Sequence, residues 1–260
     1  MAVSIRNKLG GVSSDYWVGD VGDWTFGWWF QELFWSQLNS FKKLGLDTYG
    51  IDPAENLHKL SKENHNVVCD YFDKKHYQNK KFDIIVGQNV FAHNENAKKF
   101  LDDCYELMSD DSFLFIQTSQ AEMVQSNQFD TIYHEHINFF NVNSFQKLLQ
   151  RVGLYLIDVI KTSVHGTSYL FVISQNSSIR STVEELFNQE ASQGLYQSET
   201  YYKWANNIRT NTRALQTKLA EYTSKNFHIV GYGAAAKGNT FLNFCGIGYP
   251  TISAVYDLNP

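Results

Sequence analysis

From about residue 38 onward, strand-length apolar runs alternate with helix-length amphipathic stretches, and few folds accommodate that order. "SFKKLGL" reads as a helix end stopped at Gly45, and "DTYGID" as a strand closing in an acid. "PAENLHKLSKEN" reads as a helix with Pro53 in its first turn. "HNVVCDYF" is a short strand, "KFDIIVGQNV" a strand running into a loop, "NAKKFLDDCYELM" a helix, and "SFLFIQTS" a further strand. Strands separated by helices of this length imply crossovers, hence parallel β-α-β units and an α/β, doubly wound sheet. Beyond it, "NSFQKLLQRVGL" is an amphipathic helix with Asn143 as its cap, and "YLIDVIKTS" and "SYLFVISQ" close the sheet as a pair.

Four segments follow. Residues 1–37 are atypical, holding five of the six tryptophans. Residues 38–177 carry the doubly wound pattern, and residues 178–226 have few breakers and read as a helical connector. Residues 227–260 begin a second strand, glycine turn and helix, "FHIVGYGAAAKGNTFLNFCGI", followed by a strand in "ISAVYDLNP". One such unit is too small to bury both faces of a sheet, so it is expected to be the start of a larger domain.

A net charge of −5 gives no electrostatic reason for a nucleic-acid partner. No apolar run approaches the roughly eighteen residues of a membrane span, and the start lacks the apolar core of a signal peptide. Cys69, Cys104 and Cys245 are scattered and odd in number. They form no disulfide framework and no zinc pair, so a reducing compartment, the cytoplasm, is expected.

Three places carry chemistry. Asp52 ends a strand, where a doubly wound sheet places the acid that takes ribose hydroxyls, although strand-end aspartates also cap helices. The preceding glycine turn is read at Asp20 and Gly22 in "VGDVGDWTFGW", yet Gly22 stands 30 positions before Asp52 (52 − 22) where about twenty is usual. Asn89 and His93, in "GQNVFAHNEN", sit after the next strand, either lining a site or making an Asx turn and a cap. The third place is "YHEH". If extended, it puts Tyr133 and Glu135 on one side and His134 and His136 on the other. A metal site would need a third ligand, and an acid–base centre a histidine oriented by a carboxylate or phenol. A polar strand edge with no chemistry remains the third reading.

Phe129–Ile173, around "FDTIYHEHINFF", resembles the middle of the S-adenosylmethionine-dependent sugar C-methyltransferases. "NVFAHNENAKKFLDD" is similar to their loop after the fourth strand, and "GYGAAAKGNTFLNFCGIG" to the opening of their C-terminal domain. The three matches keep the family's order over roughly residues 38–260. The resemblance implies a Rossmann-like fold with S-adenosylmethionine as cofactor. It also implies methyl transfer to carbon of a nucleotide-linked keto-deoxysugar through an enolate. It makes His136 the base with Tyr133 and Glu135 beside it, places His93 near the ketone, and puts Asp52, Asn89 and the Asp20–Gly22 turn at the cofactor. His165 matches a turn of the family and takes no chemical role; Lys237 is either a phosphate contact or a surface lysine. No metal is implied.

The chain also departs from that family. The cysteine-bound zinc domain usual at the N-terminus has no counterpart here, the cofactor turn is altered, and the C-terminal domain stops after one unit. A fragment or divergent member is therefore expected, with a reading-frame change upstream of about residue 38 as one explanation of the tryptophan-rich start. A non-catalytic remnant that binds nucleotide sugars is the alternative, and a hydrolase using metal on His134 and His136 a weaker third.

Overall fold

The computed structural model describes residues 2–6, 30–118, 122–163 and 167–257. They form two compact units, Met1–Ala121 with Asn138–Gln189, and Glu122–Ile137 with Glu190–Pro260. The first contains a seven-stranded sheet of β1 (Ala2–Arg6), β2 (Asp47–Ile51), β3 (Asn66–Val68), β4 (Phe82–Gln88), β5 (Met108–Thr118), β6 (Tyr155–Thr162) and β7 (Ser168–Ser174). Their spatial order is β3-β2-β1-β4-β5-β7-β6. The helices are α1 (Phe30–Lys43), α2 (Glu55–Ser61), α3 (Ala97–Leu107), α4 (Val142–Gln150) and α5 (Ser181–Ser192). β2 and β3 run parallel, as do β4 and β5, while β7 and β6 close the sheet antiparallel. The doubly wound sheet expected from the alternation is present.

The near-continuous apolar run "FDIIV" of β4 reflects a strand covered on both faces. Ile85 packs in the cluster that holds Phe100, Leu101 and Cys104 of α3 and Phe145 and Leu149 of α4. Its neighbours Ile84 and Val86 pack instead with Leu38 and Phe41 of α1. This two-residue alternation is what splits the core into two layers. Phe145 is fully buried and stacks on Phe171 with ring centres 4.1 Å apart. Each such large apolar side chain stabilises the fold by about 1.5–3 kcal/mol.

Three details differ from the sequence reading. α4 is capped by Asn141, not Asn143: Asn141 Oδ1 accepts from Ser144 N at 2.8 Å, and Asn141 N donates to Ser144 Oγ at 3.0 Å. That reciprocal box needs an extended residue just outside the helix, and Asn141 has it (φ −99°, ψ 173°), whereas Asn143 lies inside. Pro53 stands two residues ahead of α2 rather than in its first turn. The strand beside β2 and β4 is β1, and it runs antiparallel to both. Its last residue, Arg6, pairs with Asp47 at the start of β2, so the chain leaves β1 at the sheet edge opposite to the one where β2 ends. The expected turn at Asp20 and Gly22 lies outside the described residues.

The second unit contains α6 (Ser198–Ser224) and then β8 (Val230–Tyr232), α7 (Ala236–Phe244) and β9 (Ala254–Tyr256), with β8 and β9 parallel. Between β8 and α7, Gly233 takes φ +95°, a conformation that favours glycine. Its N–H donates to Tyr256 O at 2.7 Å, and Ala234 N donates to the Asp257 carboxylate, closing the turn against the end of β9. Tyr232 and Tyr256 are mostly exposed, as expected of so small a sheet. Among the described residues, no helix is long and apolar enough to cross a membrane.

Candidate functional site

Thr131 to His136 is a turn, not a strand. His136 N donates to Tyr133 O at 2.9 Å, which folds the segment back over three residues. The side chains of Tyr133 and His136 are thereby brought together: Tyr133 Oη lies 3.0 Å from His136 Nε2, with ring centres 4.2 Å apart. On the other side of the imidazole, Nδ1 is 2.9 Å from the Thr131 carbonyl oxygen and 3.4 Å from Thr131 Oγ1.

This network fixes the tautomer. A carbonyl oxygen only accepts, so Nδ1 carries the proton, and in the neutral ring Nε2 is the acceptor, receiving the Tyr133 hydroxyl hydrogen. Burial, and then the negative charge of Glu135, hold the Tyr133 phenol above its ordinary pKa and keep it protonated as that donor. His136 is buried, 8% exposed, so its basic nitrogen sits in a partly dehydrated setting.

The extended reading therefore fails in a definite way. It paired Tyr133 with Glu135 and His134 with His136; the turn pairs Tyr133 with His136 instead. Glu135 and His134 are both exposed, 3.7 Å apart. Thr131, whose carbonyl orients the imidazole, was not singled out from the sequence. The spacing of Tyr133 and His136 by itself does not tell a turn from a strand. Two residues before Thr131, Phe129 packs on Phe241 and Phe244 of α7, with ring centres 5.8 and 4.5 Å apart. Lys237 lies in the first turn of α7. Among the described residues, no group of three or more His, Cys, Asp or Glu is placed to hold a metal ion.

The first unit supplies the other candidates, at the carboxyl ends of its parallel strands. Asp52 follows β2 and is half-buried; its Oδ1 accepts from Ala54 N at 2.9 Å, an Asx turn leading into α2. A carboxylate has acceptor sites for several donors, so this turn is compatible with a ligand contact. Asn89 follows β4 with φ +51°, and both its Oδ1 and Nδ2 are buried without a hydrogen-bond partner. Thr118, the last residue of β5, is 1% exposed, and its Oγ1 is likewise buried and unpartnered. An unmet buried polar group of this kind costs about 1–3 kcal/mol. His93 is exposed at the end of the short turn Phe91–His93. That turn is tied down by Asn138, whose N donates to Ala92 O at 3.1 Å and whose Nδ2 donates to Asn94 O. Gly22, Asp20 and His165 lie outside the described residues.

Residues 19–159 match a family described as a methyltransferase domain, and residues 163–260 one described as the C-methyltransferase C-terminal domain. The C-methyltransferase NovU of Streptomyces niveus is 26% identical over 227 residues, covering 84% of this chain. The chain spans about half of that relative, 54% of its length. Among solved structures, the plantazolicin methyltransferase BpumL in complex with SAH is 16% identical, with a TM-score of 0.42 over 54% of this chain and 72% of that one. The Burkholderia thailandensis 1,6-didemethyltoxoflavin-N1-methyltransferase is also 16% identical, with a TM-score of 0.41 over 54% and 66%. At these TM-scores neither likeness bears on function.

Proposed function

Because the chain belongs to the methyltransferase-domain family and continues into the C-terminal domain of the C-methyltransferases, we propose that it methylates carbon on a nucleotide-linked keto-deoxysugar, using S-adenosylmethionine. The observation that carries this reading is the Tyr133–His136–Thr131 network. It orients an imidazole with Nδ1 on a carbonyl oxygen and Nε2 toward a hydroxyl, and removal of a proton from carbon beside a ketone calls for a nitrogen positioned in this way.

S-adenosylmethionine, when bound, supplies an electrophilic methyl group on sulfur. Asp52 takes the ribose hydroxyls at the end of β2. Asn89, whose buried amide has no internal partner, follows β4 at the same sheet edge. His136 Nε2 accepts the carbon-bound proton, so Tyr133 must release that nitrogen or pass the proton through its own hydroxyl. The electron pair left on carbon is the nucleophile to which the bound cofactor would supply its methyl group. Glu135 acts on Tyr133 through its charge, and His93 is assigned to the ketone oxygen of the acceptor.

A second reading has its own support. β1 runs antiparallel to β2, whereas the strand that leads into a cofactor turn in a doubly wound sheet runs parallel to its neighbour. On that reading the chain binds nucleotide sugars without turnover. Calorimetric titration of S-adenosylmethionine into the purified chain separates the two. Micromolar binding supports methyl transfer; a folded chain that binds no cofactor leaves the binding module standing.

A further inference from the structure

Thr118 has no counterpart in the chemistry assigned so far. Gln88 of β4 lies opposite Gln117 of β5, and Asn89 N extends that ladder by donating to Gln117 O at 3.1 Å. That bond belongs to the Gln88–Gln117 pair, so Asn89 and Thr118 are the next residues along the two neighbouring strands. Three buried side-chain atoms without partners therefore belong to residues just past the last strand pair, at the carboxyl edge: Asn89 Oδ1, Asn89 Nδ2 and Thr118 Oγ1. Buried polar atoms are nearly always satisfied within a protein or by something bound to it. In doubly wound sheets this edge is where ligands sit.

The chemistry of the pair narrows the ligand. Both side chains are neutral, and each gives and accepts hydrogen bonds. A buried ammonium or carboxylate would call for an opposite charge, whereas an uncharged oxygen is matched by an amide and a hydroxyl. We propose that Asn89 and Thr118 together bind an uncharged oxygen, hydroxyl or keto, of the methyl acceptor, rather than the charged amino-acid end of the cofactor. This inference rests on the methyl-transfer reading and adds Thr118 as a specificity-determining residue.

The test uses Thr118→Val, which keeps the shape and removes the hydroxyl, and Asn89→Gly, which keeps the positive φ accessible. Three quantities are read in the whole chain. These are the melting temperature without ligand, the affinity for S-adenosylhomocysteine, and the affinity for dTDP-4-keto-6-deoxyglucose with S-adenosylhomocysteine present. Thr118→Val is expected to melt no lower than the wild type, because no internal hydrogen bond is lost. It should bind S-adenosylhomocysteine as the wild type does and the keto-sugar about tenfold more weakly. Asn89→Gly should likewise weaken keto-sugar binding. A drop of several degrees in Thr118→Val would show the hydroxyl held by internal water and overturn the proposal. So would unchanged keto-sugar affinity, or a wild type that binds the cofactor product and not the keto-sugar. A wild type that fails to bind S-adenosylhomocysteine overturns the methyl-transfer reading instead. The keto-sugar titration without it then still decides on the pair.

Discussion

The Tyr133 hydroxyl lies 3.0 Å from His136 Nε2 because a single turn, closed by the bond from His136 N to Tyr133 O, returns the chain on itself. The Thr131 carbonyl holds the opposite ring nitrogen at 2.9 Å. The imidazole is thus oriented from both sides by residues within five positions of it.

Replacing His136 with Asn should lower turnover by roughly 10²–10⁴, the usual contribution of a positioned base. Exchange of the carbon-bound proton for deuterium, followed by NMR on the keto-sugar, reads the same step without methyl transfer. Wild-type exchange in a folded His136→Asn protein would remove the residue from the mechanism.

In Tyr133→Phe the ring contact with His136 persists while the hydroxyl is lost. A neutral hydrogen bond contributes about 0.5–1.5 kcal/mol, so turnover should fall roughly three- to tenfold with cofactor affinity unchanged. A much larger loss would mean that the phenol itself handles the proton.

Asp52→Ala removes a charge-assisted contact to the ribose, worth about 1.5–3 kcal/mol. Calorimetry should show cofactor binding weakened by one to two orders of magnitude. It also removes the Asx turn to Ala54, so a small fall in melting temperature is expected. Equal affinity would move the ribose away from β2.

His65 provides a pH prediction remote from the chemistry. It is buried, with Nδ1 2.6 Å from Thr48 Oγ1 and Nε2 3.1 Å from Asn39 Oδ1. Burial, and then the charge of Lys42, lower its pKa below the ordinary 6.5. The unfolded chain therefore takes up this proton more readily than the folded one. The stability tied to neutral His65 is fully present above pH 6.5 and declines as pH falls through the folded-state value. Urea unfolding between pH 7.5 and 5 should show that decline, and it should be shallower in His65→Gln. Parallel curves would dismiss it.

Phe145→Ala should destabilise the first unit by about 3–5 kcal/mol, since Phe145 is fully buried and stacked on Phe171. Denaturant unfolding followed by circular dichroism measures it. A loss under about 1 kcal/mol would show that α4 does not depend on that stack.

The local periodicities of the sequence were enough to establish β4, α3 and β5 as strand, helix and strand. They also placed Asp52 at a strand end, because the two-residue and 3.6-residue repeats are written into each segment separately. Asparagine at the start of α4 was legible too, though the cap proved to be Asn141, since the choice depends on which residue is left extended. The tertiary structure decided the rest. Whether "YHEH" extends or turns is set by a backbone bond that no residue pattern announces, and that bond decides which side chain meets His136. The direction of β1 and the placing of Asn89 and Thr118 just past the Gln88–Gln117 pair depend on register between segments far apart in the chain. Register is chosen by the burial of whole strand faces together, so it does not exist until the sheet has formed.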